Sequence, residues 1–492
     1  MKNQQLFRLA GVGVCLVIIL LLLHSCSQTA KNEMPVTTQS KEALKLFLDG
    51  RDKIDNLEIL KAYELLSKAT ELDSNFALAY IYKAFCMGST GNANEFIKAF
   101  DKSLKSKDYA SEGEKVLISY IRAINEGDGP KQQELIDQLL TLFPEDKRIL
   151  NWAGNHYTFM NNFQKAKEYF EKALLLDKSY APVYNVLGYT YSYLEEYEKA
   201  EETFKTYIRL LPDKANPYDS YAELLLKLGR YDESIEQYQK ALEVDPTFIL
   251  AYVGIGNNFI FKGDFEQARD SYQQRFDKAT QIGDKLGALR LQALSYIHEG
   301  NIKAALEKCK QRRELAQKEN QMTTVINSYL NDAKILTELG NPAEAVKQVQ
   351  TAMELINNSN FDDWLKETLT VAAMEMNCNC KIHDNLLEEA KVNVAQFKQL
   401  VEKRQDPLEI MQLEATLGCL ALQEKQYDKA LQHFAKANNQ SPCTMYYMAL
   451  AYEQKGDMDN AGKLYKKIST WTTNDLELAL VRNRAIDKLK SI

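Results

Sequence analysis

A chain of 492 residues with 61 Lys and Arg against 68 Asp and Glu carries a net charge of −7, which argues against a polyanionic partner. A hydrophobic fraction of 45% and a charged fraction of 26% suit a folded, water-facing protein, and 10 Pro with 21 Gly leave little room for long disordered linkers. No basic run interleaved with aromatics appears, so no nucleic-acid partner is expected.

The chain opens with Lys2 and Arg8, followed by an apolar run from Gly11 to Leu23. At 13 residues the run is shorter than the ~20 that a spanning helix needs. Leu23-His24-Ser25-Cys26 follows at once. This resembles the lipobox of bacterial lipoproteins, with His24 as a departure from the motif. The resemblance implies that residues 1–25 are a signal peptide and that Cys26 is acylated as the new N-terminus, which anchors the chain to a membrane. Loss of Lys2 and Arg8 takes the net charge from −7 to −9. Ser27-Gln28 carries no Asp retention signal, so the resemblance points to the cell envelope, on the periplasmic face of the outer membrane rather than the inner membrane. Residues 26–42 are expected to be a lipidated tether, with Pro35 in its polar part.

Beyond the tether, Ala43–Phe76, Ala77–Glu112 and Gly113–Asp146 read as helix pairs of similar length. Gly50, Ala84 and Ala123 are small, and Gly127-Asp128-Gly129-Pro130 forms a turn. Lys147–Ile282 is the regular part, with four consecutive copies of 34 residues beginning at Lys147, Ala181, Ala215 and Ile249. Place eight holds Gly154, Gly188, Ala222 and Gly256; place twenty holds Ala166, Ala200, Ser234 and Ala268; place twenty-four holds Phe170, Phe204, Tyr238 and Tyr272. A fixed period with small and large residues in register is the mark of a repeat array. Small places let paired helices approach, and the rings fill what remains. Gly229, Gly263, Gly340 and Gly456 are expected to end first helices in the left-handed conformation, with Asp264, Asn341 and Asp457 capping second helices.

The stretch Tyr184–Pro212, with Leu187-Gly188, Tyr191, Ala200 and Phe204, resembles the tetratricopeptide repeat (TPR). The resemblance implies an all-α, right-handed superhelix, an α-solenoid of about twelve helix-turn-helix units. After Ile282 the register loosens, with Gly283-Asp284 a candidate boundary. The expected organisation is an N-terminal repeat block over 43–282, regular over 113–282, a less regular block over 283–475, and a capping helix over 476–492 that covers the end of the stack.

Nothing in the sequence suggests an enzyme, a cofactor or a metal. His156, His298, His383 and His433 are scattered, and Cys378-x-Cys380-x-x-His383 puts its first two ligands about 160° apart on a helix. Gly254-x-Gly256 falls at small helix places with no preceding strand, so packing explains it. The remaining cysteines lie mostly on apolar faces and read as buried thiols.

In the tetratricopeptide family the inner face of the first helices lines a groove. The places that correspond here are Asn151, Asn155, Phe159, Asn185, Tyr189, Tyr193, Asp219, Glu223, Lys227, Asn257 and Phe261. Asn offers donor and acceptor together, and the aromatics add contact area. The expected function is a lipid-anchored envelope scaffold that binds a protein or an extended peptide in this groove. The alternative is a periplasmic sensor for a peptide or glycan.

Overall fold

The computed structural model describes residues 33–89 and 93–492. Cys26, the signal-peptide residues and the start of the tether lie outside the described residues. Among those described, the chain forms twelve pairs of antiparallel helices and one further helix, Leu476–Ser491, with no strand.

The packing logic of the pair is a ring seated on a missing side chain. A Cβ added at Gly188 would lie 2.6 Å from the Phe204 ring, and one at Gly418 would lie 2.5 Å from the Phe434 ring. Gly154 is closed in the same way by Phe170, and Gly256 by Tyr272. Each pair therefore locks a place-twenty-four ring, fully buried at Phe170, Phe204 and Tyr272, against bare helix backbone. Copy three carries Ala222 where the others carry Gly, and its ring, Tyr238, meets Gly254 of the following copy instead. Gly254-x-Gly256 is thus two ring seats side by side.

Turns between paired helices pass through the left-handed region. Gly229, Gly263, Gly340 and Gly456 do so as expected, with φ of 74°, 84°, 88° and 80°. The equivalent place in copies one and two holds Asn161 and Glu195, at φ 56° and 60°, so two turns adopt the glycine conformation without glycine. Asp264, Asn341 and Asp457 cap their helices. Glu344, three residues after Asn341, accepts from Lys347 at 2.8 Å, while Ser111 and Glu114 form a capping box.

Contacts divide the chain into two compact units, the first ending at Leu224 and the second beginning at Leu225. The break in packing does not fall at Gly283-Asp284, which sit in the first turn of helix Ile282–Glu299, with Asp284 paired to Arg275 at 2.9 Å. In the first unit, residues 33–40 of the expected tether are not free. They run extended over the helix starts: the amide of Met34 donates to Asp146 at 2.8 Å, that of Thr37 to Glu114 at 2.9 Å and that of Gln39 to Asp73 at 3.0 Å. Met34 and Val36 pack on the core of the first repeats.

In the second unit the last helix does two things. It packs on the final pair, as a cap is expected to, with Leu478 and Val481 fully buried. Its other side reaches back to Ile282–Glu299, and it shares one apolar cluster with residues from Ile260 to Tyr465.

Candidate functional site

The first helices of Lys147–Phe159, Ala181–Tyr193 and Ala215–Lys227 place eight of the candidate residues in the first unit. Four-residue spacing puts each set on one helix face. Asn155 donates along its own helix to the Asn151 carbonyl at 2.8 Å and to the Asn151 side chain at 3.1 Å. Asn185 accepts from Ser220 at 2.9 Å, and Tyr189 donates to Glu223 at 2.5 Å, so neighbouring repeats are tied across this face. The Tyr189 ring stands edge-on to Phe204, 5.2 Å away, and so to the core.

Two features of the face stand open to solvent or to a ligand. Phe159 is 79% exposed and Tyr193 57%, at the same place in adjacent repeats, and Tyr193 is steadied by stacking on Phe163 at 4.5 Å. Asp219 makes no hydrogen bond or ion pair, and burial, reinforced by the Glu223 carboxylate, pushes its carboxyl up to about 7. Exposed rings and a perturbed carboxyl on successive first helices are the kind of surface that a ligand completes.

The remaining candidates belong to the second unit, where Lys227 is exposed. Asn257 and Phe261 are not open groove positions. Asn257 accepts from Tyr272 at 2.8 Å and from Asn474 at 2.9 Å, while Phe261 is 8% exposed beneath the Arg482 guanidinium at 5.2 Å. Asn474 also accepts from His298 at 3.1 Å, and Asn483 donates to the His298 carbonyl at 2.7 Å. The chain's own C-terminal segment therefore occupies the inner face at these repeats. Sequence reasoning missed this because the contacts span some two hundred residues and follow no period.

Cys378 and Cys380 belong to different apolar clusters, and His383 stands edge-on to Tyr447, so the three do not converge. Among the described residues no group of His, Cys, Asp and Glu is arranged to hold a metal. The described cysteines are free thiols; burial pushes Cys86 up to about 11 and Cys378 up to about 12.

Successive antiparallel helix pairs, of one length over residues 147–278 and in several cases closed by glycine-seated rings, define an α-solenoid. Family models agree: a tetratricopeptide repeat model matches residues 148–180 and 181–214, a TPR repeat model matches 222–259, and a further tetratricopeptide repeat model matches 444–470. At these residues the chain carries tetratricopeptide repeats, the non-enzymatic scaffold repeats of protein–protein interaction.

Among solved structures it is similar to a tetratricopeptide repeat protein from Parabacteroides merdae (16% identity, TM-score 0.38, covering 53% of this chain and 98% of that one). It is also similar to PilW, described as a widely conserved type IV pilus biogenesis factor (23%, 0.34, 45% and 98%). A third is YrrB, described as a TPR protein with an unusual peptide-binding site (20%, 0.28, 37% and 91%). No curated protein matches the chain.

Proposed function

We propose that the chain is a lipid-anchored scaffold of a bacterial cell envelope that holds an extended segment of a protein partner along the first helices of residues 147–224. The observation that carries the reading is the face itself: two exposed aromatics, Phe159 and Tyr193, at one place of adjacent first helices, and the unpaired carboxyl of Asp219 on the next first helix. The rings offer apolar area at low entropic cost, and Asp219 offers an acceptor for a backbone amide. The first unit also takes an extended segment of its own, residues 33–40, by carboxylates that accept backbone amides, so the same recognition chemistry already operates in this fold.

Crosslinking in intact cells identifies the partner. Calorimetry then compares wild type with the Phe159→Ala/Tyr193→Ala variant. Truncating two central aromatics typically costs more than about 1 kcal/mol each, so affinity is expected to fall at least tenfold. The thermal melt is expected to stay in place, because neither side chain belongs to the core. Undiminished affinity contradicts the reading.

The anchor is proposed on the apolar run ending in Leu-x-Ser-Cys. No helix among the described residues is long and apolar enough to cross a membrane. Mass spectrometry of the mature N-terminus is expected to find acylated Cys26; an intact Met1 identifies a signal anchor instead. Placement on the periplasmic face of the outer membrane is part of the same proposal.

A further inference from the structure

The second unit encloses a cavity of about 490 Å³ between the first helices of its last four pairs and the C-terminal helix. Four carboxylates line it: Glu338, Glu375, Asp475 and Glu477, against one ammonium, Lys334. Three of the four are already engaged. Glu477 takes Lys334 at 2.6 Å and the Ser441 hydroxyl at 2.5 Å. Glu338 takes Arg484 at 2.9 Å and the Tyr447 hydroxyl. Asp475 caps the last helix by accepting from the Leu478 amide. Glu375 alone has no hydrogen bond and no ion pair; burial raises its carboxyl above the ordinary range, opposed by the Lys334 ammonium and reinforced by Glu477. A second orphan is Thr416, 1% exposed, whose hydroxyl oxygen has no partner. The lining also carries apolar side chains, Met376, Leu408, Met411, Ala415 and Phe434, interspersed with polar ones such as Gln412 and Asn438.

We infer that this cavity is a binding site for a primary ammonium carried on an apolar stem, with the ammonium on Glu375 and the stem along the methionine and leucine side chains. An unpartnered carboxylate in a low-dielectric pocket is costly, and a cation with three donors relieves it. The charge count favours a cation over an anion: once Lys334 and Arg484 have neutralised Glu477 and Glu338, Glu375 and Asp475 are left over. The volume exceeds that of one lysine side chain, so the stem of a free diamine and a lysine of a partner both fit. Their shared chemistry is the alkylammonium.

The test titrates the full chain, purified in detergent, by calorimetry with cadaverine, with acetyl-Gly-Lys-Gly-amide and with neutral pentanediol. Wild type is compared with Glu375→Gln and with Ala415→Trp, which adds bulk to the lining. At least one amine is expected to bind, and pentanediol is not. Both variants are expected to weaken binding at least tenfold with unchanged circular dichroism. Binding of cadaverine alone assigns a free solute, and binding of the peptide assigns a partner's lysine. If Ala415→Trp fails to fold, the near-isosteric Glu375→Gln decides by itself. Undiminished binding by Glu375→Gln, equal binding of the diol, or no binding of either amine overturns the inference.

Discussion

The first helices of residues 147–224 and those of residues 250–338 are built from one repeat, yet they end in opposite states. In the first set the inner face ends in Phe159 and Tyr193, both exposed, and in a carboxyl without a partner. In the second set the equivalent residues, Asn257 and Phe261, are covered by Asn474 and Arg482. The repeat determines how helices stack; what lies on the inner face is decided separately, by whether a distant part of the chain returns to it. A covered face is a core, and an open one is a surface for a partner.

The largest effect follows from removing what covers the second face. Deleting residues 474–492 uncovers partners of Leu478, Leu480 and Val481, each buried to 3% exposure or less. At about 1.5–3 kcal/mol per buried aliphatic side chain, the loss for the three is about 4–9 kcal/mol. Hydrogen exchange is expected to lose protection over 282–338 while helices 147–210 keep theirs. Equal loss in both sets would erase the contrast.

The two faces also differ in the sign of their response to pH. Burial holds His298 down to about 4, with Arg482 adding to the effect and Asn474 opposing it. Because the folded value lies below the ordinary ~6.5, the stability tied to His298 is whole above about pH 6.5 and is lost as pH falls toward 4, by about 3 kcal/mol in full. His298→Gln is expected to flatten that acid limb in urea titrations followed by Trp471 fluorescence. Asp219 runs the other way. Its folded value near 7 is raised, so the stability linked to it is present in acid and is lost as pH rises through 7. Asp219→Asn is expected to strengthen exchange protection over 181–224 above pH 7, by about 2 kcal/mol after allowance for solvent, and to change nothing in acid.

How far the molecule can be read from its sequence follows the same line. The place-eight glycines and place-twenty-four rings are local signals at fixed spacing, and they locate the helix pairs and most of their caps. The covered face has no such signal, because Asn474, Arg482 and Glu477 meet residues far away in sequence. Residues 33–40 read as a polar tether because an extended segment held by Asp73, Glu114 and Asp146 has no periodicity of its own. The turns at Asn161 and Glu195 were legible only by aligning them with Gly229 and Gly263.

Packing inside the repeat is expected to behave alike in both units, which sharpens the contrast by removing a confounder. Gly188→Leu drives a side chain into the Phe204 ring and is expected to cost about 1–3 kcal/mol or more, with exchange damage confined to residues 163–210 by the nearest-neighbour character of a solenoid. Damage that spreads through the chain contradicts that locality. The smallest effect is a gain. Glu195 holds φ 60°, where a non-glycine residue is strained by about 1 kcal/mol, so Glu195→Gly is expected to raise the thermal midpoint slightly. A lowered midpoint shows that the side chain contributes more than the turn costs.

The most direct measurement places a photo-crosslinking phenylalanine analogue, one position at a time, at Phe159, Tyr193 and Phe261 in intact cells. The open-face account predicts that the same partner protein is captured from 159 and 193, and that 261 yields only crosslinks within the chain, to residues around Arg482. Capture of that partner from 261, or from none of the three, contradicts it.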